Sequence, residues 1–290
     1  GLCALESNTT GSYNTAVGRY ALGNNATGHN NIAVGAYALR YNTEGYHNTA
    51  LGIYALESNT TGYGNIALGR DALHSNIDGE YNIALGNSAL YSNTTGYNNT
   101  ALGNHALRTN TTGSRNTALG SYALYSNTTG YENTALGNQA LFFNTTSYFN
   151  TALGSYALLS NTTGSSNTAV GFNTLVNNTT GSTNTALGSN ALFFNTTGSR
   201  NTALGFSAGR YISGGSASNA TSTNSLYLGY DTRALASGDT NEIVIGYQAT
   251  GVGSNSVVLG NDSITKTILK GNVGIGTTDP GSYKLYVNGS

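Results

Sequence analysis

A short string, Asn-Thr/Ile-Ala-Leu/Val-Gly, returns at a constant distance along this chain. Its Asn stands at Asn14, Asn31, Asn48, Asn65, Asn82, Asn99, Asn116, Asn133, Asn150, Asn167, Asn184 and Asn201, every step being 17 residues. The full unit reads N-[TI]-A-[LV]-G-x-x-A-L-x-x-N-T-T-G-x-x, and its positions are numbered 1 to 17 from that Asn. Each unit must adopt the same local structure and bury its apolar side on the next, so the chain is an array of stacked units. Gly1–Tyr13 matches positions 5 to 17. The sequence therefore opens inside a unit, as expected of a segment of a longer protein.

Seventeen residues are too few for a pair of ordinary helices, and Asn, Thr and Gly are poor helix formers. Two short strands joined by two turns fit the length, which makes each unit one coil of a β-solenoid. The stretch Ala-Leu-x-x-Asn at positions 8 to 12 is open to a second reading, a single helical turn. The fold class expected is all-β: a parallel β-solenoid or β-roll of 17-residue coils, assembled as a homotrimeric fibre.

Alternation along a strand puts positions 2 and 4 on one face and position 3 on the other. Position 2 is Thr in nine units and Ile in three (Ile32, Ile66 and Ile83), and position 4 is always Leu or Val. The Thr/Ile exchange suggests that this face looks into the coil. Position 3 is Ala in all twelve units: Ala16, Ala33, Ala50, Ala67, Ala84, Ala101, Ala118, Ala135, Ala152, Ala169, Ala186 and Ala203. A solvated position would vary, so this column is expected to be the oligomer interface. The same need follows from energetics, because the few aliphatic side chains of one coil do not offset the entropy of ordering seventeen residues. Position 12 is Asn in every complete unit: Asn25, Asn42, Asn59, Asn76, Asn93, Asn110, Asn127, Asn144, Asn161, Asn178 and Asn195. One amide per coil predicts a ladder of side chains bonded from coil to coil.

The regular unit occupies 1–205. Residues 206–223, rich in Ser, Gly and Ala, predict a loop or insertion. Over 224–270 a second pattern follows, "NSLYLG" at Asn224, "NEIVIG" at Asn241 and "NSVVLG" at Asn255. It reads as a degenerate roll with Tyr227, Val244 and Val258 facing outward where the first region has Ala. Residues 271–290 predict a neck leading to a further C-terminal domain, with a turn at Pro280 and a last strand over 284–287.

"NSVVLG" and "NEIVIG" resemble the head repeat of trimeric autotransporter adhesins. The "NTALGxxALxxNTTG" unit is similar to arrays in phage tail-fibre and bacterial surface proteins. The final "NVGIGTTDPGSYKLYVNGS" resembles the segment preceding the intramolecular chaperone of phage tail fibres. The resemblance covers nearly the whole chain. It implies a trimer of parallel β-rolls, either the tail fibre of a virion or an adhesin on a bacterial cell surface, extracellular in both cases. It departs from the adhesin head in repeat length, 17 against about 14 residues.

Composition narrows the chemistry. Charged residues are 8% of the chain and the net charge is −1, so no basic surface exists to neutralise nucleic-acid phosphates. No apolar run is long enough to span a membrane as a helix. One cysteine, Cys3, makes neither an internal disulfide nor a thiolate metal site. His29, His47, His74 and His105 fall at four different repeat positions, which argues against a metal column. No metal, cofactor or catalytic group is expected. Glu44 and Asp78 share position 14 two coils apart, about 10 Å, near the upper limit for an inverting glycosidase pair. Sequons recur at position 12, but Asn42 and Asn76 hold the same position without one, so a structural role explains the column better.

Aromatic residues carry the functional hint. Tyr46, Tyr63, Tyr97, Tyr131 and Tyr148 share position 16, and they are the candidate contacts to glycan or partner. Tyr20, Tyr37, Tyr54, Tyr122 and Tyr156 share position 7, while Phe142, Phe143, Phe193 and Phe194 occupy positions 10 and 11. Stacking between neighbouring coils is the competing explanation. The expected function is a structural and adhesive fibre segment, self-associated as a homotrimer, presenting a surface to a host glycan or other receptor. Two alternatives are an ice-binding solenoid and a carbohydrate-active fibre enzyme. Inward-facing Thr would weigh against the first.

Overall fold

The computed structural model describes residues 1–269, together with the strand backbones at 273–275 and 285–287. It is an all-β parallel solenoid of about fourteen turns, each some 17 residues long, and no helix occurs among the described residues. Each coil holds one strand of three residues, from β1 (Thr15–Val17) to β12 (Thr202–Leu204). The strands β13 (Leu226–Leu228), β14 (Ile243–Ile245) and β15 (Val257–Leu259) continue the stack. All fifteen pair in sequence order, in parallel and in register, so that Ala16 lies on Ala33 and Ala186 on Ala203. Fifteen strands at about 4.8 Å make a sheet about 67 Å long. Two further strands, β16 (Val273–Ile275) and β17 (Leu285–Val287), pair with each other in parallel. The expected turn at Pro280 lies outside the described residues, and so does most of the expected neck.

Positions 8 to 12 form neither the second strand nor the helical turn. Over positions 7 to 9 the backbone alternates in sign: φ is +55° at Tyr20 and +49° at Leu22, and the same pair recurs in coil after coil. Alternation turns successive amides along the solenoid axis in opposite senses. Tyr37 N–H donates to Arg19 O in the coil before, and Leu39 N–H donates to Ala55 O in the coil after. The left-handed region is costly for side chains branched at Cβ. Position 9 is accordingly Leu, whereas strand position 4 accepts Leu or Val.

The two faces of the strand are the reverse of the sequence expectation. Position 3 is inside: Ala33 to Ala203 are fully buried within the single chain, and Ala16, at the open end, is partly buried. Positions 2 and 4 are outside, exposed or half-buried, with Leu102 44% and Leu136 46% accessible. The Ala column is therefore the coil's own core. The physical reason is the narrow cross-section, in which position 3 shares its space with the Leu of position 9.

The last regular unit shows that sharing directly. Gly209 replaces Leu at position 9, and Tyr227 fills position 3 of the following strand. A Cβ on Gly209 would lie 2.6 Å from Tyr227 Cδ2. Tyr227 and Val244 are fully buried, so the expectation that they face outward is likewise corrected. Residues 206–223 form an excursion within one turn: β12 pairs directly with β13, and the sheet passes the insertion unbroken.

Candidate functional site

Two columns of Asn hold one end of every coil. At position 12, Asn42 Nδ2 donates to Asn25 Oδ1 at 2.8 Å and to Gly45 O at 2.9 Å, and this pair of bonds repeats along the column. Asn25 to Asn195 are at most 1% accessible. The second column, at position 1, was the register mark in the sequence and was assigned no role there. Asn48 N–H donates to Asn31 Oδ1 at 3.0 Å, and Asn48 Nδ2 donates to Gly62 O at 2.8 Å. Gly62 O thus accepts from Asn59 and from Asn48, joining the two columns. Both amide hydrogens of a buried position-12 Asn are occupied, so the position-12 sequons from Asn25 onward have no free nitrogen to carry a glycan.

Position 15 is Gly because the columns close over it. A Cβ on Gly130 would stand 2.3 Å from Asn127 Oδ1 and 2.5 Å from Ser147 O. Ser147 is the exception in that column, and its hydroxyl joins the ladder. It donates to Asn144 Oδ1 and accepts from Asn150 Nδ2 at 2.9 Å and Asn161 Nδ2 at 3.1 Å.

The aromatic candidates run along the outside. At position 16, Tyr46 and Tyr63 stack at 4.7 Å, His29 stacks on Tyr46 at 5.1 Å, and Tyr131 and Tyr148 stack at 5.1 Å. Their faces cover one another and leave mainly edges to solvent. Tyr97 has no ring above or below it; the Arg115 guanidinium lies 5.7 Å from its centroid. At position 7, Tyr20, Tyr37 and Tyr54 stack at 5.6 and 5.1 Å, and Arg40 lies over the first two. Tyr122 packs with His105 and Tyr125, whose ring stacks on Phe142. Tyr156 meets Phe172 edge-on, as do Phe142 and Phe143, and Phe193 and Phe194.

Charges decorate these columns. Glu57 accepts from His74 Nε2 at 3.0 Å and lies 3.7 Å from Arg40. Burial, with Arg108 nearby, pushes the His105 pKa down. The Glu80 carboxylate holds the Tyr63 phenol above its usual range. Glu44 and Asp78 sit exposed on an outer turn, away from a cavity lined by Gln248, Val258 and Asp262. Among the described residues no cluster of three His, Cys, Asp or Glu is placed to hold a metal, and no helix is long and apolar enough to cross a membrane.

In the second region the polar columns change. Ser225, Glu242 and Ser256 fall at position 1, one residue after the Asn of each motif; Asn224, Asn241 and Asn255 sit at the positive-φ position 17. Glu242 is fully buried. Its Oε1 accepts from Gly253 N–H at 2.9 Å, and its Oε2 has no partner. Burial raises its pKa.

No protein-family model and no curated protein matches the chain.

Proposed function

We propose that this chain is a structural and adhesive fibre segment: a stiff rod that associates with copies of itself and displays its flanks to a partner. The observation that carries the reading is the outer face of the sheet. Thr or Ile at position 2 and Leu or Val at position 4 run over β1 to β12, and Leu226, Leu228, Ile243, Ile245, Val257 and Leu259 continue the two rows over β13 to β15 in register. The apolar surface left in water is on the order of 1,000–2,000 Å², several times the largest patch on an ordinary monomer. Its rows repeat from coil to coil, which makes the face complementary to a second copy at matching register. The oligomer interface proposed is therefore Leu/Val with Thr/Ile, in place of the Ala column. The number of copies, three, comes from the resemblance to trimeric adhesin heads and tail fibres, as does a place on a virion or a bacterial cell surface.

Equilibrium sedimentation of the purified chain tests the association, with a mass of three chains expected. Negative-stain images should show a rod. A monomer at micromolar concentration removes the fibre reading.

The outward Thr column favours one second reading. Seven Thr at single-coil spacing, from Thr100 to Thr202, form an ordered hydroxyl row on the sheet, the arrangement an ice-binding face needs. Thermal hysteresis of the monomer would establish it, and its absence would remove it. For a carbohydrate-active enzyme, Glu44 and Asp78 offer exposed carboxylates and no cleft. Retained glycan cleavage after replacing both would dismiss that pair.

A further inference from the structure

Position 2 of the strand points outward, and Thr serves there in nine of the twelve regular coils. The coil itself therefore has no need of a bulkier or more apolar residue at this place. Three coils nonetheless carry Ile, and Ile32, Ile66 and Ile83 are 43, 37 and 37% accessible, aliphatic side chains left in water. They stand on β2, β4 and β5, so the intervals among them are two, one and three coils, all different. From β6 to β12 position 2 is Thr without exception, and position 4 is Leu save for Val170.

We infer that, given the reading of the outer face as the contact between copies, Ile32, Ile66 and Ile83 set the register in which a second copy of this chain docks. The face leaves on the order of 1,000–2,000 Å² of apolar surface in water, more than the about 800 Å² per partner of a stable interface. Copies related by rotation about an axis along the rod run parallel, and each coil supplies one layer in which the position-2 and position-4 side chains of all copies meet. Over β6 to β12 these layers are alike, so a copy slipped by one coil, about 4.8 Å, makes the same contacts there as an aligned one. The isoleucines remove that degeneracy. In register, each Ile layer is wholly aliphatic. A slip of one coil sets Ile32 against Thr49 and Ile83 against Thr100. A Thr hydroxyl set among aliphatic groups loses its partners, and the volume of the layer no longer matches. Because the three intervals differ, no slip brings more than one Ile onto another, whereas evenly spaced isoleucines would leave a slipped copy with two matches. Specificity then comes from the penalty on the wrong alignments. At the far end Leu226, Ile243 and Val257 replace Thr, and the same slip sets Leu226 against Thr202.

The test uses the whole chain with Cys3→Ser and two single-cysteine reporters, Leu102→Cys and Leu136→Cys, on β6 and β8 of the uniform stretch. In aligned copies the two sites are about 10 Å apart along the rod, beyond disulfide reach. Equal amounts are unfolded together, refolded and mildly oxidised, and mass spectrometry assigns the disulfides. Like-with-like pairs should outnumber the mixed pair at least about tenfold. Ile32→Thr, Ile66→Thr and Ile83→Thr together use the residue that nine other coils already carry, and should raise the mixed pair to a level near that of the like pairs. Adding Thr117→Ile, Thr151→Ile and Thr168→Ile rebuilds the same intervals on β7, β9 and β10 and should restore the original ratio. An unchanged ratio in the triple Thr variant, no recovery on transplanting the intervals, or no like-with-like disulfide at all overturns the inference. Equilibrium sedimentation of the same samples separates the two levels: associated chains with mixed pairs in the unsubstituted strip reject the register code alone, and a monomer rejects the self-association beneath it.

Discussion

Removing one amide from the middle of the position-12 column should cost far more than its size suggests. Asn110 Nδ2 donates to Asn93 Oδ1 and to Gly113 O, both at 2.8 Å, and Asn110 Oδ1 accepts from Asn127 Nδ2 at 2.7 Å. Asn110→Ala deletes all three. Gly113 O keeps Asn99 as a donor, and Asn127 keeps Gly130 O as an acceptor. Asn93 Oδ1 is left buried with no donor. Three bonds at about 1 kcal/mol net, plus about 1–3 kcal/mol for the orphaned acceptor, give about 4–6 kcal/mol. Coils contact only their neighbours, so the lesion should also split cooperativity, letting the two flanking arrays unfold separately. The assay is urea denaturation followed by circular dichroism, with hydrogen exchange to locate the break. Asn8→Ala, at the exposed end of the same column, is the matched control and should cost under about 1 kcal/mol. An Asn110→Ala loss no larger than that of Asn8→Ala would refute the reasoning, because it would mean the ladder does not hold the coils.

Gly130→Ala puts a methyl group within 2.5 Å of the Ser147 carbonyl of the next coil, and a melting curve should show a loss of more than about 2 kcal/mol. Gly209→Leu and Tyr227→Ala should each destabilise alone, whereas the double variant recreates a regular coil; a double-mutant cycle should return a favourable coupling of about 1–3 kcal/mol. Burial raises the Glu242 pKa in the fold, so the folded state prefers the protonated form. Its contribution is complete below the ordinary carboxylate range and is lost as pH rises through the raised value. Thermal melts from pH 4 upward should show this loss, and Glu242→Gln should flatten it.

The repeat length and the position-12 ladder were legible because each depends only on what recurs. The hand of the strand was not. Period-two alternation separates Ala135 from Thr134 and Leu136 but does not say which side is the interior. Constancy of Ala was assigned to contact between chains, since a solvated site would drift. A narrow interior enforces the same constancy. The deciding signal stands in the sequence at one place: the unit that loses Leu at position 9, Gly209, is followed by the strand that gains Tyr227 at position 3. That exchange of volume says the two positions share a core. The position-1 Asn column is as regular as the position-12 column, yet an Asn beside a strand gave no hint that its amide crosses to a glycine carbonyl fourteen residues on.

The inward and outward faces of the strand decide where copies meet, and cysteine chemistry reads them directly. In a Cys3→Ser background, single variants Ala135→Cys and Leu136→Cys place a thiol on opposite faces of one strand; Ala135 is fully buried and Leu136 is 46% accessible. In native protein, Leu136→Cys should either form a disulfide to another copy under mild oxidation or react with a maleimide, and Ala135→Cys should do neither until urea is added. Cross-linking through Ala135→Cys, with Leu136→Cys protected, would contradict the account and return the interface to the alanine column.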